Sequence, residues 1–328
     1  MQPIPLVPSR ALLPLFDYVR RTGVPQSATF ERIRTHSGST GLVPLALAGL
    51  VWDEAARAFG RDDLGLRVGE TTRLEDAGEL GPVVRRACTV GAALEAAVQF
   101  GSRFNSGQRF CLERRGEEIL LHRVYAPALR RGRLQVNDYV LTLTLNLIRL
   151  AAGAGWRPSE IHFEGAPPSH AAELAGLAQR SVRFGQHHTT LVFPRRVLAL
   201  PIPEPQPAAA SGARSAPIEW PHADFAGSAR QAVRSLMQLG CLDLALAAAA
   251  AGTSVRSFQR RLGQAGLRFA DLVDETRFEA ACRLLQDPAA RIVDVSAELG
   301  YTDSANFTRA FRRWAGMPPQ QYRRLAAS

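Results

Sequence analysis

The chain contains no lysine; all 40 of its basic residues are arginine. That absence removes a Schiff-base lysine and a P-loop lysine together. No Gly-rich phosphate loop of the G-x-G-x-x-G or Walker type occurs either. Cysteine is scarce: Cys88, Cys111, Cys241 and Cys282 lie far apart, with no C-x-x-C pair and no histidine at ligand spacing. A disulfide framework and a structural zinc site are thereby disfavoured, and the four read as small buried apolar residues. The long apolar runs, such as Leu42–Trp52, fall short of the ~20 residues that span a bilayer. Prolines at 3, 5, 8 and 14 and the break at Arg10 are unlike a secretory signal. A cytoplasmic, membrane-free protein without a metal or other cofactor is the expectation.

What is present is enough for two packed domains. The 328 residues are 46% hydrophobic and 21% charged, with a net charge of +10. Prolines at 201, 203, 205, 207, 217 and 221 flank the small-residue run Ala208–Ala213, so 201–227 reads as an extended linker. It separates residues 1–200 from 228–328. Up to residue 227 there are 26 arginines and 21 acidic residues, an excess of +5; beyond it there are 14 and 9, also +5. The shorter segment is the more basic per residue, and an all-arginine excess suits phosphates and guanine edges.

Residues 1–200 alternate in character. Glu79–Cys88 and Thr89–Arg103 read as helices, the second capped by Thr89 and striped by Ala93, Leu94, Ala97, Val98 and Gly101. Arg109–Arg114 and Ile119–Val124 read as a hairpin about the turn Arg115-Gly-Glu-Glu, in which Glu117 and Glu118 are solvated. Leu134–Ala152 carries a strand-like alternation over Val140–Leu147, yet nineteen residues without a breaker favour a helix. Ile161–Phe163, Arg183–Phe184 and Thr189–Phe193 are short strand candidates. The adjacent His187 and His188 have no nearby cysteine or carboxylate and read as a loop feature. The fold class is α+β.

Residues 228–328 read as all-helical and contain a repeat. A shift of 49 residues overlays Leu246 on Val295, Ala248 on Ala297, Thr253 on Thr302, Phe258 on Phe307, Arg260 on Arg309 and Leu262 on Phe311. Each copy has a short helix, a glycine break (Gly252-Thr253 or Gly300-Tyr301-Thr302), a cap (Ser254 or Asp303), a second helix and a glycine stop (Gly266 or Gly316). That order is the helix-turn-helix plan. Phe269–Gln286 reads as one long connecting helix stopped by Asp287-Pro288. In the first copy Val255, Phe258 and Leu262 face inward; Arg256, Gln259, Arg260 and Gly263 share a neighbouring face. In the second, Phe307, Phe311 and Trp314 face inward, and Ala305, Thr308, Arg309 and Arg312 occupy the equivalent outward positions. Arginine can grip guanine N7 and O6 together, glutamine the adenine edge, and a short side chain can meet a thymine methyl. Arg312, Arg313, Arg323 and Arg324 are placed for phosphate contacts.

Gly300-Tyr301, Asp303, Phe307, Arg309, Phe311, Gly316, Pro319, Tyr322 and Arg323 stand at the spacing of the AraC/XylS family DNA-binding domain, which residues 225–328 resemble. The resemblance implies seven helices with two helix-turn-helix units in successive major grooves of promoter DNA. It also implies base contacts from Arg256, Gln259 and Arg260 and from Ser304, Ala305 and Arg309. Ala305 departs from the longer polar side chain many members carry, which shifts specificity toward the first unit. Residues from about 20 to 205 resemble the arabinose-binding-type sensor domain of one branch of the family. The residues concerned are Gly65-Leu-Arg-Val-Gly-Glu70, Gly78-Glu-Leu-Gly81, Thr89-Val-Gly-Ala-Ala-Leu94 and Arg183-Phe-Gly185. This second resemblance implies a small-molecule effector, a homodimer and activation through RNA polymerase, without implying arabinose.

The expectation is a non-enzymatic, ligand-responsive regulator of transcription. Two rivals differ from it in testable ways. A DNA-repair methyltransferase needs an acceptor thiolate in a cysteine cluster, which the scattered cysteines do not supply. An architectural binder predicts uniform affinity across sequences and a steep salt dependence.

Overall fold

A computed structural model of the chain describes residues 2–36, 41–78, 81, 84, 86–125, 129–203, 224–240 and 242–326. The chain divides into two compact units, residues 4–220 with 250–252, and residues 1–3, 221–249 and 253–328.

In the first unit, β1 (Leu6–Pro8) and α1 (Leu13–Thr22) precede α2 (Ala28–His36) and β2 (Leu42–Pro44), which pairs antiparallel with β1. Then come α3 (Leu45–Phe59), α4 (Leu64–Thr71), α5 (Val90–Phe104), β3 (Gln108–Arg115), β4 (Glu118–Tyr125) and α6 (Arg133–Ala152). The last elements are β5 (Glu160–His162), α7 (Ala171–Ala175), β6 (Ser181–Arg183) and β7 (Thr189–Pro194). Five strands form one sheet in the order β3-β4-β7-β5-β6, antiparallel except between β5 and β6. The α+β expectation holds. Thr89 caps α5 through its hydroxyl, which accepts from the Ala92 N–H at 3.2 Å. Ala93, Leu94 and Ala97 of the expected stripe are buried against Phe110, Ile119 and Leu121 of the hairpin. The hairpin turns at Gly116, whose φ of 59° only glycine adopts freely. The Glu79–Cys88 helix lies largely outside the described residues, though Gly81 and Val84 are helical.

α6 explains its own ambiguity. Leu141, Leu145 and Ile148 bury on one side, while Thr142 and Asn146 meet α4 on another; Asn146 donates to the Gly69 carbonyl at 3.1 Å. A helix buried on two faces lacks the single apolar stripe that identifies a helix. α4 comes this close because it presents glycine. A Cβ on Gly65 would lie 2.1 Å from the Gln135 carbonyl oxygen, and one on Gly69 2.6 Å from the Thr142 Cβ. The Gly65 N–H donates to Gln135 Oε1 at 2.8 Å, and Gln135 Nε2 donates to the Asp62 carbonyl at 2.7 Å.

Between α5, α6, β3 and β4 sits a cavity of about 160 Å³. Its described lining is almost wholly apolar: Leu94, Ala97, Phe110, Leu121, Val140 and Leu147 are typical members, and no charged side chain takes part. Gln108, which also lines it, is buried with Oε1 unpartnered.

The cysteines depart from expectation. Cys88 and Cys111 are exposed and Cys282 is half-buried; Cys241 lies outside the described residues. Cys111 sits on β3, one of the two edge strands of the sheet, and alternates outward from the buried Phe110. Among the described residues no group of three His, Cys, Asp or Glu side chains could hold a metal. His188 lies edge-on to His122, ring centres 6.4 Å apart.

The second unit has seven helices among the described residues: α8 (Phe225–Gln238), α9 (Leu244–Ala250), α10 (Val255–Gln264), α11 (Phe269–Leu284), α12 (Ile292–Glu298), α13 (Ser304–Ala315) and α14 (Pro319–Ala326). α8 takes in the last three residues of the stretch read as linker, because the Asp224 carboxylate caps it by accepting from the Gly227 N–H at 2.7 Å. Among the described residues, no helix is long and apolar enough to cross a membrane.

Candidate nucleic-acid interface

Both turns are built the same way. At the first, the Thr253 N–H donates to the Ala248 carbonyl across Gly252, whose φ is 66°. At the second, the Tyr301 N–H donates to the Ser296 carbonyl and the Gly300 N–H to Ala297, with Gly300 at φ 77°. These are glycine closures of a helix end, which satisfy carbonyls the helix leaves open. They also correct the alignment of the repeat. Ala248 corresponds to Ser296, a shift of 48, whereas the caps Ser254 and Asp303 keep the shift of 49. The burial pattern agrees: Ala247 and Ala248 are buried as Val295 and Ser296 are. The second turn is one residue longer. Tyr301 occupies the added length, packing on Phe307 at 5.7 Å between ring centres under the Arg277 guanidinium at 4.9 Å.

α10 and α13 start at true caps. The Ser254 hydroxyl accepts from the Ser257 N–H at 3.3 Å, and Asp303 Oδ1 accepts from the Asn306 N–H at 2.7 Å. α10 ends in a closure at Gly266, with the Leu267 N–H on the Leu262 carbonyl at 2.9 Å; α13 ends at Gly316, φ 73°. Phe258, Leu262, Phe307 and Phe311 are almost wholly buried. Phe258 meets Phe225 and Phe269 edge-on, and Phe311 meets Phe278 and Tyr322. Trp314 is only half-buried. Val255, expected inward, is 37% exposed: as the first residue of α10 it precedes the turn that contacts the core.

The aromatic cores fix which faces remain outside. Arg256, Gln259, Arg260 and Gly263 are exposed along α10; Ala305, Arg309 and Arg312 are exposed on α13, with Ser304 half-exposed at its start. The side chains of Arg256, Gln259, Arg260 and Arg312 make no hydrogen bond or ion pair among the described residues. Other arginines of this unit are occupied. Arg313 pairs with Asp274 of α11 at 2.8 Å, and Arg323 donates to the Ala290 carbonyl at 2.6 Å. Arg230 pairs with Glu275 at 3.2 Å, Arg234 with Glu279, and Arg261 lies over the Phe225 ring at 4.3 Å. Burial lowers the Arg261 pKa. Arg313 and Arg323 therefore hold helices together in this structure instead of standing free for phosphates.

One participant escaped the sequence reading. Asn306 donates through Nδ2 to Asp303 Oδ2 and accepts at Oδ1 from Arg309 Nη2. Asp303, Asn306 and Arg309 thus form a chain at three-residue spacing that orients the Arg309 guanidinium. The i, i+3 spacing was the available signal.

The family model described as the arabinose-binding domain of AraC transcription regulator, N-term, matches residues 23–202, and a helix-turn-helix domain model matches 247–325. The chain belongs to the AraC family of transcriptional regulators. This AraC-family chain is 24% identical over 326 residues to the ornithine utilization regulator of Pseudomonas aeruginosa, covering 97% of this chain and 96% of that protein. It is 27% identical over 297 residues to the HTH-type transcriptional regulator VirS of Mycobacterium tuberculosis, 85% and 84% of the two chains. The crystal structure of transcriptional regulator CdpR from Pseudomonas aeruginosa matches over 96% of this chain and 98% of that one, with a TM-score of 0.44 and 22% identity. The AraC-family assignment makes the paired helix-turn-helix units a DNA-binding module attached to a sensor.

Proposed function

We propose that this regulator reads two adjacent half-sites of promoter DNA with α10 and α13 and activates transcription in response to a small molecule bound by residues 1–200. The observation that carries the reading is the sorting of arginine: Arg256 and Arg260 stand exposed and unpaired beside Gln259, while Arg313 and Arg323 are spent inside the unit. An exposed guanidinium on the second helix of a helix-turn-helix can reach guanine in the major groove. Arg256, Gln259 and Arg260 read bases in the first half-site. Ser304, Ala305 and Arg309 read the second, with Arg309 held by Asn306 and Ala305 supplying only apolar contact. Arg312 contacts phosphate. Residues 1–200 form the ligand-sensing and dimerisation domain, 201–227 the connecting segment and 228–328 the reader, extended to Asp224 by its cap. The working species is a cytoplasmic homodimer that recruits RNA polymerase, and it is not an enzyme.

Selection from a random duplex library with the full-length protein at near-physiological salt tests the reading. Two short motifs about one helical turn apart, ~10 bp, are the expected enrichment. Affinity that is uniform across sequences would instead favour an architectural binder.

A further inference from the structure

The first unit buries a guanidinium that makes no ion pair among the described residues. Arg123, on β4, is only 4% exposed. One of its terminal nitrogens donates to the carbonyl and the Oδ1 of Asn137, at 3.0 and 2.6 Å, and its Nε has no partner. The carboxylates nearest to it, Asp138 and Glu164, act on it only at a distance, and Asp138 Oδ1 has no hydrogen-bond partner. Asp138 is bound to His170 at 2.8 Å and Glu164 to Arg133 at 2.6 Å. Arg123 itself makes no ion pair with a carboxylate among the described residues. Burial pulls the His170 pKa down but the Asp138 hydrogen bond and charge raise it on balance, while burial raises that of Asp138. A buried guanidinium without a carboxylate is costly, and such a charge is ordinarily matched by an anion.

The position of Arg123 says where that anion comes from. Phe110 pairs with Arg123 across the hairpin, and Thr189 of β7 pairs with it on the other side. Arg123 and Thr189 line a void of about 10 Å³ whose wall of Phe110, Leu121 and Thr144 is shared with the 160 Å³ apolar cavity. Thr189 Oγ1 is likewise buried without a partner. An apolar chamber thus adjoins a polar end formed by a guanidinium and a hydroxyl, both donors.

We infer that this cavity is the effector site and that its ligand is a small monocarboxylate: an apolar body in the chamber and a carboxylate passing the Phe110–Thr144 wall toward Arg123 and Thr189. The inference rests on the regulator reading above. Size follows from volume: an engineered apolar cavity of about 150 Å³ takes one benzene ring. Phenylacetate and hexanoate match that body. Arg123 supplies a charge-assisted hydrogen bond that an amide of the same shape cannot receive at equal strength, and no described lining residue of the chamber offers an anion to an amine.

Calorimetric titration of the full chain with phenylacetate and hexanoate, against phenylacetamide and hexylamine, tests this. The carboxylates are expected to bind at least about tenfold more tightly than the amide. Arg123→Gln should collapse that ratio, and Ala97→Leu, which fills the chamber, should abolish carboxylate binding. Should Arg123→Gln fail to fold, the amide comparison and Ala97→Leu still decide. Equal binding of the amide, or undiminished carboxylate binding in Ala97→Leu, overturns the assignment. So does the absence of carboxylate binding to a preparation that still binds its selected duplex, an outcome that leaves the regulator reading intact. Absence of any duplex selection sinks the regulator reading itself.

Discussion

Replacing Gly65 with alanine sets two opposing effects against each other. Within a helix, Gly→Ala ordinarily stabilises by about 1 kcal/mol through backbone entropy and propensity. At Gly65 the added Cβ would sit 2.1 Å from the Gln135 carbonyl oxygen and 2.8 Å from its carbon, both backbone atoms of α6. Relief requires α4 and α6 to separate by roughly 1 Å, and overpacking of that kind costs about 1–3 kcal/mol. Separation also strains the buried 2.8 Å hydrogen bond from the Gly65 N–H to Gln135 Oε1. A buried donor left unsatisfied costs another ~1–3 kcal/mol. The overlap wins, with a net loss near 3 kcal/mol, which for a unit of this size corresponds to roughly 6–12 °C in melting temperature.

Gly263→Ala provides the internal control. Gly263 is exposed in α10 and nothing lies within 4 Å of its built Cβ, so only the propensity gain remains. Differential scanning calorimetry of the full chain should show Gly65→Ala lowering the transition of the first unit and Gly263→Ala raising that of the second. A Gly65→Ala transition that is unchanged or raised would refute the close-approach argument. Gly69→Ala should also destabilise, because its nearest neighbour at 2.6 Å is the Thr142 Cβ, which no rotamer change can move, with the Tyr139 carbonyl oxygen at 3.2 Å behind it.

Three further outcomes are expected. Arg260→Ala should weaken binding to the selected duplex by ~1–3 kcal/mol and relax preference at one base position, whereas loss across all sequences alike would mean a phosphate contact. Arg313→Ala, which removes a surface pair with Asp274 and a guanidinium–ring contact with Trp314, should change duplex specificity little and stability by about 1 kcal/mol; a specificity change would contradict its structural role. Asp63 accepts from Arg61 and Arg67 at 2.7 and 2.8 Å, and the Arg61 hydrogen bond foremost holds its carboxyl at about 2, below the ordinary 3.8. A depressed folded-state pKa contributes stability above the unfolded value and loses it as pH falls from about 4 to about 2. Asp63→Asn should thus remove roughly 2 kcal/mol at neutral pH and flatten denaturation between pH 4 and 2, read by urea titration.

The second unit was legible because its signals are local. Ser254, Asp303, Gly266 and Gly316 act within one turn of where they stand, and the buried Phe258, Phe307 and Phe311 fall on the expected helical face. The register of α9 was not legible: the segment LALAAAA offers no side chain that distinguishes a shift of 48 from one of 49. Nor could sequence sort the arginines, since the partners of Arg313 and Arg323 lie 39 and 33 residues away. The α6 pattern misled for a third reason, burial on two faces. Arg123 was invisible for a fourth: mid-strand in a hairpin, it passes for a surface residue until β7 and α6 close over it.

The same distinction explains why the first unit's resemblance carries fold but not ligand. Three of the glycines in the motifs behind it, Gly65, Gly81 and Gly91, stand where backbone is close. A Cβ would meet the Gln135 carbonyl oxygen at 2.1 Å from Gly65, that of Leu74 at 2.0 Å from Gly81 and that of Leu198 at 3.0 Å from Gly91. Those positions enforce how helices and loops seat on one another, and any chain that packs this way needs them whatever it senses. Of these, Gly81 also lines the cavity, but a glycine contributes no side chain to recognition. Specificity must then reside in the side chains that do reach the chamber and the polar end beside it, such as Ala97, Phe110, Thr144, Arg123 and Thr189. Exchanging these while keeping the glycines should change the ligand without changing the fold.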